Sequence, residues 1–138
     1  MKGEYQFSLE NIHEAAYWFW EQLGDHKVVA LYGHMGAGKT SFVHALCDVK
    51  KVTDPVSSPT FSLVNEYLLP DGERIYHMDL YRIRDEEEAI QAGIEDVLFS
   101  GALCFVEWPE KAPDIFPDDH LKLQFTVNTD QSRTIKLL

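Results

Sequence analysis

The sequence predicts a three-layer α/β domain, with helices on both faces of a mixed β-sheet. Three observations carry that expectation. Two apolar runs of strand length, residues 27–32 and 101–106, are nearly uninterrupted, as in strands buried on both faces. Segments with helical spacing of apolar residues lie beside them, at 12–23 and 39–49. Two strand-like stretches flank Pro70-Asp71-Gly72, and strands joined by so short a turn must run antiparallel, which makes the sheet mixed.

The elements follow in order. Residues 5–9 read as a short strand closed by Ser8 or Asn11, and Asn11 followed by Glu14 resembles a capping box. Ile12, Ala15, Ala16, Phe19, Trp20 and Leu23 then share one helical face, read as core packing, and Gly24 ends the helix. After the strand at 27–32 comes a glycine-rich turn, then a helix over 39–49 with Phe42, Leu46 and Val49 facing inward. Pro55 and Pro59 break residues 54–60 into a loop. Residues 61–69 and 74–80 form the hairpin. Asp85 caps a short helix to Ala92, and Glu86, Glu87 and Glu88 in its first turn suit the helix dipole better than a metal site. Gly93 stops that helix, and 94–99 form another short one. Beyond the strand at 101–106, Leu121, Leu123, Phe125 and Val127 alternate with polar residues, a strand covered on one face, and 134–138 return from a turn at 128–132. With 138 residues, no linker and no repeat, one domain over 1–138 is expected.

Composition narrows the function classes. The apolar runs are too short to span a bilayer, and the first residues lack the apolar core of a signal peptide. Cys47 and Cys104 lie in apolar segments without metal-ligand spacing, so buried free thiols and a cytoplasmic location are expected. The net charge is −11 with no cluster of Lys and Arg. Such a chain repels a polyanion, so service in an RNA pathway would run through a protein partner.

The turn after the first buried strand reads Gly33-His34-Met35-Gly36-Ala37-Gly38-Lys39-Thr40, the GxxxxGK[ST] pattern. Between a strand and a helix this pattern makes a P-loop, and the fold expectation becomes P-loop NTPase-like. Its amides converge on phosphate oxygens at a helix N-terminus, Lys39 reaches the terminal phosphates, and the Thr40 hydroxyl ligates Mg²⁺. A second anchor for Mg²⁺ is usually an acid at the end of a neighbouring buried strand. Glu107, after Leu103-Cys104-Phe105-Val106, and Asp79, at the end of the 74–78 strand, both qualify; the competing reading is an ordinary solvated strand end. Thr60 stands twenty residues after Thr40, either as a switch-loop Thr or as part of a turn with Ser57 and Ser58. His77 reads as a packed strand histidine, and Trp108 either caps the sheet or lies by the nucleotide.

A GTPase would show DxxG and NKxD; Asp79 is followed by Leu80-Tyr81-Arg82, and NKxD is absent. A small-molecule kinase would carry an Arg-bearing lid, for which the stretch around Arg82 and Arg84 leaves little room. Gly36-Ala-Gly-Lys-Thr40, Ser58-Pro-Thr-Phe-Ser-Leu-Val64, Tyr76-His-Met-Asp-Leu-Tyr-Arg82, Gly93-Ile94 and Val106-Glu-Trp-Pro109 occur in this order along nearly the whole chain. Together they resemble the TsaE (YjeE) family of bacterial ATPases for tRNA threonylcarbamoyladenosine biosynthesis. The resemblance implies an Mg²⁺-dependent ATPase acting with TsaD and TsaB, its hydrolysis resetting their complex, and meeting tRNA only indirectly. It implies that Gly36, Ala37, Gly38, Lys39, Thr40 and Ser41 hold phosphates, that Thr40 and Glu107 hold Mg²⁺, and that Thr60 is switch-like. Asp79 would position water or a metal-bound water, Trp108 would lie beside ATP, and Ser8 and Glu110 fall near nucleotide contacts. His34 departs from the family, which usually has an acid there, and the chain ends directly after its last strand. No arginine finger is evident. The rival readings are a small-molecule kinase and a nucleotide-gated binding module with incidental hydrolysis.

Overall fold

The computed structural model describes residues 3–52 and 63–138. The strands are β1 (Glu4–Phe7), β2 (Val28–Tyr32), β3 (Val64–Leu68), β4 (Arg74–Asp79), β5 (Leu103–Glu107), β6 (Leu121–Val127) and β7 (Arg133–Leu137). The helices are α1 (Ile12–Leu23), α2 (Lys39–Val49), α3 (Glu86–Gln91) and α4 (Ile94–Leu98). The strands form one sheet in the order β1-β7-β6-β2-β5-β4-β3. Its centre is parallel, β2 pairing with β5 and β6 and β4 with β5, while the β3–β4, β6–β7 and β1–β7 pairs are antiparallel. The mixed sheet and the hairpin are as expected.

The continuous apolar run of β2 follows from its central place. Val29 and Leu31 enter one core with residues of α1 and α2, whereas Val28 enters another with Met78, Cys104, Val106 and the α3 and α4 residues Ala89, Ile94 and Leu98. These two cores are the interfaces of a three-layer fold. In the first, the Phe19 ring meets Phe42 edge-on at 5.8 Å, a geometry that aromatic quadrupoles favour, and lies tilted against Phe105 at 6.0 Å. Trp20 is only half-buried, and its indole N–H donates to the Leu46 carbonyl at 3.2 Å. At α3 the Asp85 carboxylate accepts from the Glu88 amide at 2.9 Å, the expected cap.

Two expectations fail locally. Asn11 makes no side-chain cap on α1. Its Oδ1 instead accepts from the Ser8 amide at 2.8 Å and the Ser8 hydroxyl at 3.1 Å, because a 3₁₀ turn, Leu9–Asn11, precedes α1 and takes that side chain for itself. Val127 is exposed, since it sits on the last β6–β7 rung, opposite Arg133 and just before the turn.

Cys47 and Cys104 are free and buried. Burial pushes each thiol up to about 12, helped at Cys47 by the neighbouring Asp48 charge. Iodoacetamide at pH 8 is therefore expected to leave both unlabelled in the native protein and to label both in denaturant; mass spectrometry showing native labelling would contradict this packing. No helix among the described residues is long and apolar enough to cross a membrane.

Candidate active site

The P-loop occupies the turn from β2 to α2, at the C-terminal edge of the parallel strands. Gly33 is required by close approach: a Cβ there would sit 3.0 Å from the Phe125 Cβ and 3.2 Å from the Phe125 carbonyl oxygen. Gly38, the N-cap of α2, has a φ of 99°, where a side chain would be strained. The first α2 hydrogen bond runs from the Phe42 amide to the Gly38 carbonyl at 2.8 Å. The amides of Lys39, Thr40 and Ser41 thus precede the helical ladder and face outward at its positive end. Ala37 is buried, and the loop is closed on itself by its amide donating to the His34 carbonyl at 3.0 Å. His34 is exposed.

The loop forms one side of a cavity of about 710 Å³. Gly36, Gly38, Lys39, Thr40 and Ser41 line it from the loop and α2, Asp79 from β4, and Glu107 and Trp108 from the end of β5. Parallel pairing explains that convergence: Asp79 and Glu107 are direct register partners on β4 and β5, so both acids leave the sheet at the same edge. Asp79 also accepts from the Tyr81 amide at 3.0 Å, which turns the chain away from β4.

Glu107 is the most constrained of these groups. It is 4% exposed, and its Oε2 accepts from the Thr40 hydroxyl at 2.6 Å and lies 2.6 Å from His77 Nε2. Burial alone would raise its pKa, but the hydrogen bonds from His77 and Thr40 and the charges of His77 and Lys39 outweigh burial and hold it below the usual carboxyl range. Lys39 is pushed down by burial, against the opposing pull of Glu107, Glu110 and Asp79. Its Nζ donates to the Gly33 carbonyl at 2.6 Å and stands 3.9 Å from the centroid of the Trp108 ring. Trp108 itself adopts a left-handed backbone, φ 60°, which throws the indole back over the loop beside Tyr81.

The remaining expected residues are less central. Ser8 is tied to Asn11, while its neighbour Leu9 lines the cavity. Glu110 is exposed and acts through its charge on Lys39 and Tyr32. Thr60, with Ser57 and Ser58, lies outside the described residues. No group of three or more His, Cys, Asp and Glu poised for a metal occurs among the described residues. The oxygen pair of Thr40 and Glu107 does suit Mg²⁺, a hard cation that binds few protein ligands and keeps its waters.

A family model described as "Threonylcarbamoyl adenosine biosynthesis protein TsaE" matches residues 7–135. The chain belongs to the TsaE family. Curated relatives named "tRNA threonylcarbamoyladenosine biosynthesis protein TsaE" agree. The one from Haemophilus influenzae is 37% identical over 111 residues, 80% of this chain and 69% of the relative. The one from Bacillus subtilis is 34% identical over 78% of this chain and 66% of the relative, and the one from Aquifex aeolicus 41% identical over 75% and 74%. Among solved structures, Bacillus subtilis YdiB superposes with a TM-score of 0.72 at 24% identity, covering 97% of this chain and 82% of that one, which supports the fold.

Two residues join this cluster that sequence reading did not assign to it. Arg133, at the start of β7, lines the cavity and its guanidinium donates to the Gly36 carbonyl at 3.4 Å and to the Gln131 carbonyl at 2.7 Å. Nothing in a short hydrophilic turn signals that an arginine a hundred residues downstream returns to the P-loop; only the sheet order β2-β6-β7 does that. His77 is buried as expected, yet its ring reaches Glu107.

Proposed function

We propose that this chain is an Mg²⁺-dependent ATPase serving threonylcarbamoyladenosine modification of tRNA, acting with the TsaB–TsaD complex. The observation that carries the reading is the 2.6 Å bond between Thr40 at the head of the P-loop helix and Glu107 at the end of the adjacent parallel strand. That pair closes a cavity lined by Lys39 and by the free end of α2. Membership of the TsaE family supplies the pathway.

In this reading the amides of residues 39–41 and Lys39 take up charge on the ATP phosphates, and Thr40 and Glu107 hold the metal. Held there, Mg²⁺ would supply positive charge against the negative charge that develops on the phosphoryl oxygens. Asp79 orients water for in-line attack, and Trp108 with Leu9 bounds the nucleotide. Arg133 lies against the loop on the phosphate side and adds a further cation. Thr60 is assigned the switch-like role. The acids lining the cavity among the described residues are Asp79 and Glu107; with Glu107 committed to the metal, Asp79 alone is left to orient the water, and a carboxylate is only a weak base for it. Hydrolysis by the isolated chain is therefore slow, and a partner completes the site.

The test is ATP turnover by the chain alone and with TsaB–TsaD. The expected result is a rise of at least about tenfold, equivalent to some 1.4 kcal/mol of barrier. Equal rates with and without the complex would overturn the partnership, and transfer of phosphate to a small metabolite would replace it with a kinase.

A further inference from the structure

Lys39, His77 and Glu107 are the buried charged or polar residues among those described. The proposed function employs the first and third and leaves the second without a task. His77 lies two residues before Asp79 on β4, and its register partner Phe105 lies two before Glu107 on β5. The two-residue period of strands therefore puts His77, Asp79 and Glu107 on one face. That face packs on α2, where the His44 ring meets the His77 ring edge-on at 6.3 Å. The His77 imidazole crosses to Glu107 with Nε2 at 2.6 Å from Oε2, the same oxygen that accepts from Thr40.

A histidine kept for packing normally satisfies both ring nitrogens. Here Nδ1 is buried without a hydrogen-bond partner among the described residues, so the polar tie of the ring runs to Glu107. Opposite a carboxylate held ionised, Nε2 carries the proton and donates. A glutamate side chain is one methylene longer than an aspartate and loses more rotamer freedom when held. Two donors on Oε2 fix it, and Oε1 is left without a hydrogen bond among the described residues.

We propose that His77 is a positioning residue, its Nε2–H pinning Glu107 Oε2 so that the carboxylate is preset to hold a divalent cation together with Thr40. The inference rests on the metal reading of Thr40 and Glu107 given above. Hydrogen-bond partners of metal ligands typically contribute about 10- to 100-fold in metal affinity.

The test uses the full chain with ADP and Mn²⁺, followed by the paramagnetic resonance of free Mn²⁺, beside ADP affinity measured in EDTA. His77→Leu is expected to weaken Mn²⁺ binding by about 10- to 100-fold while leaving metal-free ADP affinity within about twofold. His77→Gln, whose amide nitrogen can stand near the Nε2 position, restores most of the loss. If His77→Leu does not fold, His77→Asn, too short to reach Oε2, takes its place. Wild-type Mn²⁺ affinity in the Leu or Asn variant, or equal losses in Gln and Leu, would overturn the positioning role alone. No ADP-dependent Mn²⁺ uptake by the wild-type chain would overturn the metal reading and this inference with it.

Discussion

Lys39→Ala is expected to weaken nucleotide binding by roughly 30-fold or more. Lys39 is 4% exposed at the cavity, and burial holds its pKa below the usual lysine range. Its ammonium is satisfied by the Gly33 carbonyl at 2.6 Å and by the Trp108 face at 3.9 Å. Both contacts are ones a polyphosphate can improve on, since an anion is a stronger partner for a desolvated cation than a carbonyl or a ring. Removing one member of a desolvated charge pair costs about 2–5 kcal/mol, roughly 30- to several-thousand-fold in affinity. The alanine variant still folds, because losing one hydrogen bond and one cation–π contact is offset by no longer burying a charge. Calorimetric titration with a non-hydrolysable ATP analogue measures the loss, and thermal unfolding checks the fold. Wild-type affinity in a folded Lys39→Ala protein would remove the P-loop from the nucleotide site.

The route from sequence to this site is uneven for physical reasons. Gly33 to Thr40 is legible as a tight strand-to-helix turn because the close approach at Gly33 and the positive φ of Gly38 demand glycine, and those needs are local. Asp79 and Glu107 are legible as strand-end acids, because a strand buried on both faces announces itself as an apolar run and parallel strands share an edge. His77 is legible as buried, but its purpose depends on the β4–β5 register, which pairs residues about 28 positions apart and leaves no local pattern. Arg133 depends on still longer range: β7 reaches the P-loop through β6, paired in parallel with β2. The cap expected at Asn11 fails for the opposite reason. Two local solutions compete for one side chain, and the preceding 3₁₀ turn wins it.

Glu107→Gln is expected to spare ATP binding and to lower Mg²⁺-dependent hydrolysis by at least about 100-fold, the upper range for merely supporting partners of a metal ligand. The amide keeps the size of the side chain, so β5 and the P-loop keep their places. It cannot accept from Thr40 and His77 as the ionised Oε2 does, and it offers a cation no negative charge. Glu107→Ala goes further, since it also leaves the buried His77 N–H unpaired, a penalty of about 1–3 kcal/mol, whereas the exposed Thr40 can turn its hydroxyl to water. The pH dependence carries the same signature. Glu107 has a folded-state pKa below its usual range despite burial, so the stability it contributes is complete above the unfolded carboxyl range and is lost as pH falls through the lower folded value. Chemical denaturation of wild type and Glu107→Gln between about pH 7 and pH 3 should therefore show a stability gap at neutral pH that closes on the acid side. A gap that stays constant with pH would contradict the ionised, hydrogen-bonded Glu107 of the folded state, and a Gln variant with unchanged Mg²⁺-dependent turnover would take Glu107 out of the metal's reach and leave its bond to Thr40 a purely structural one.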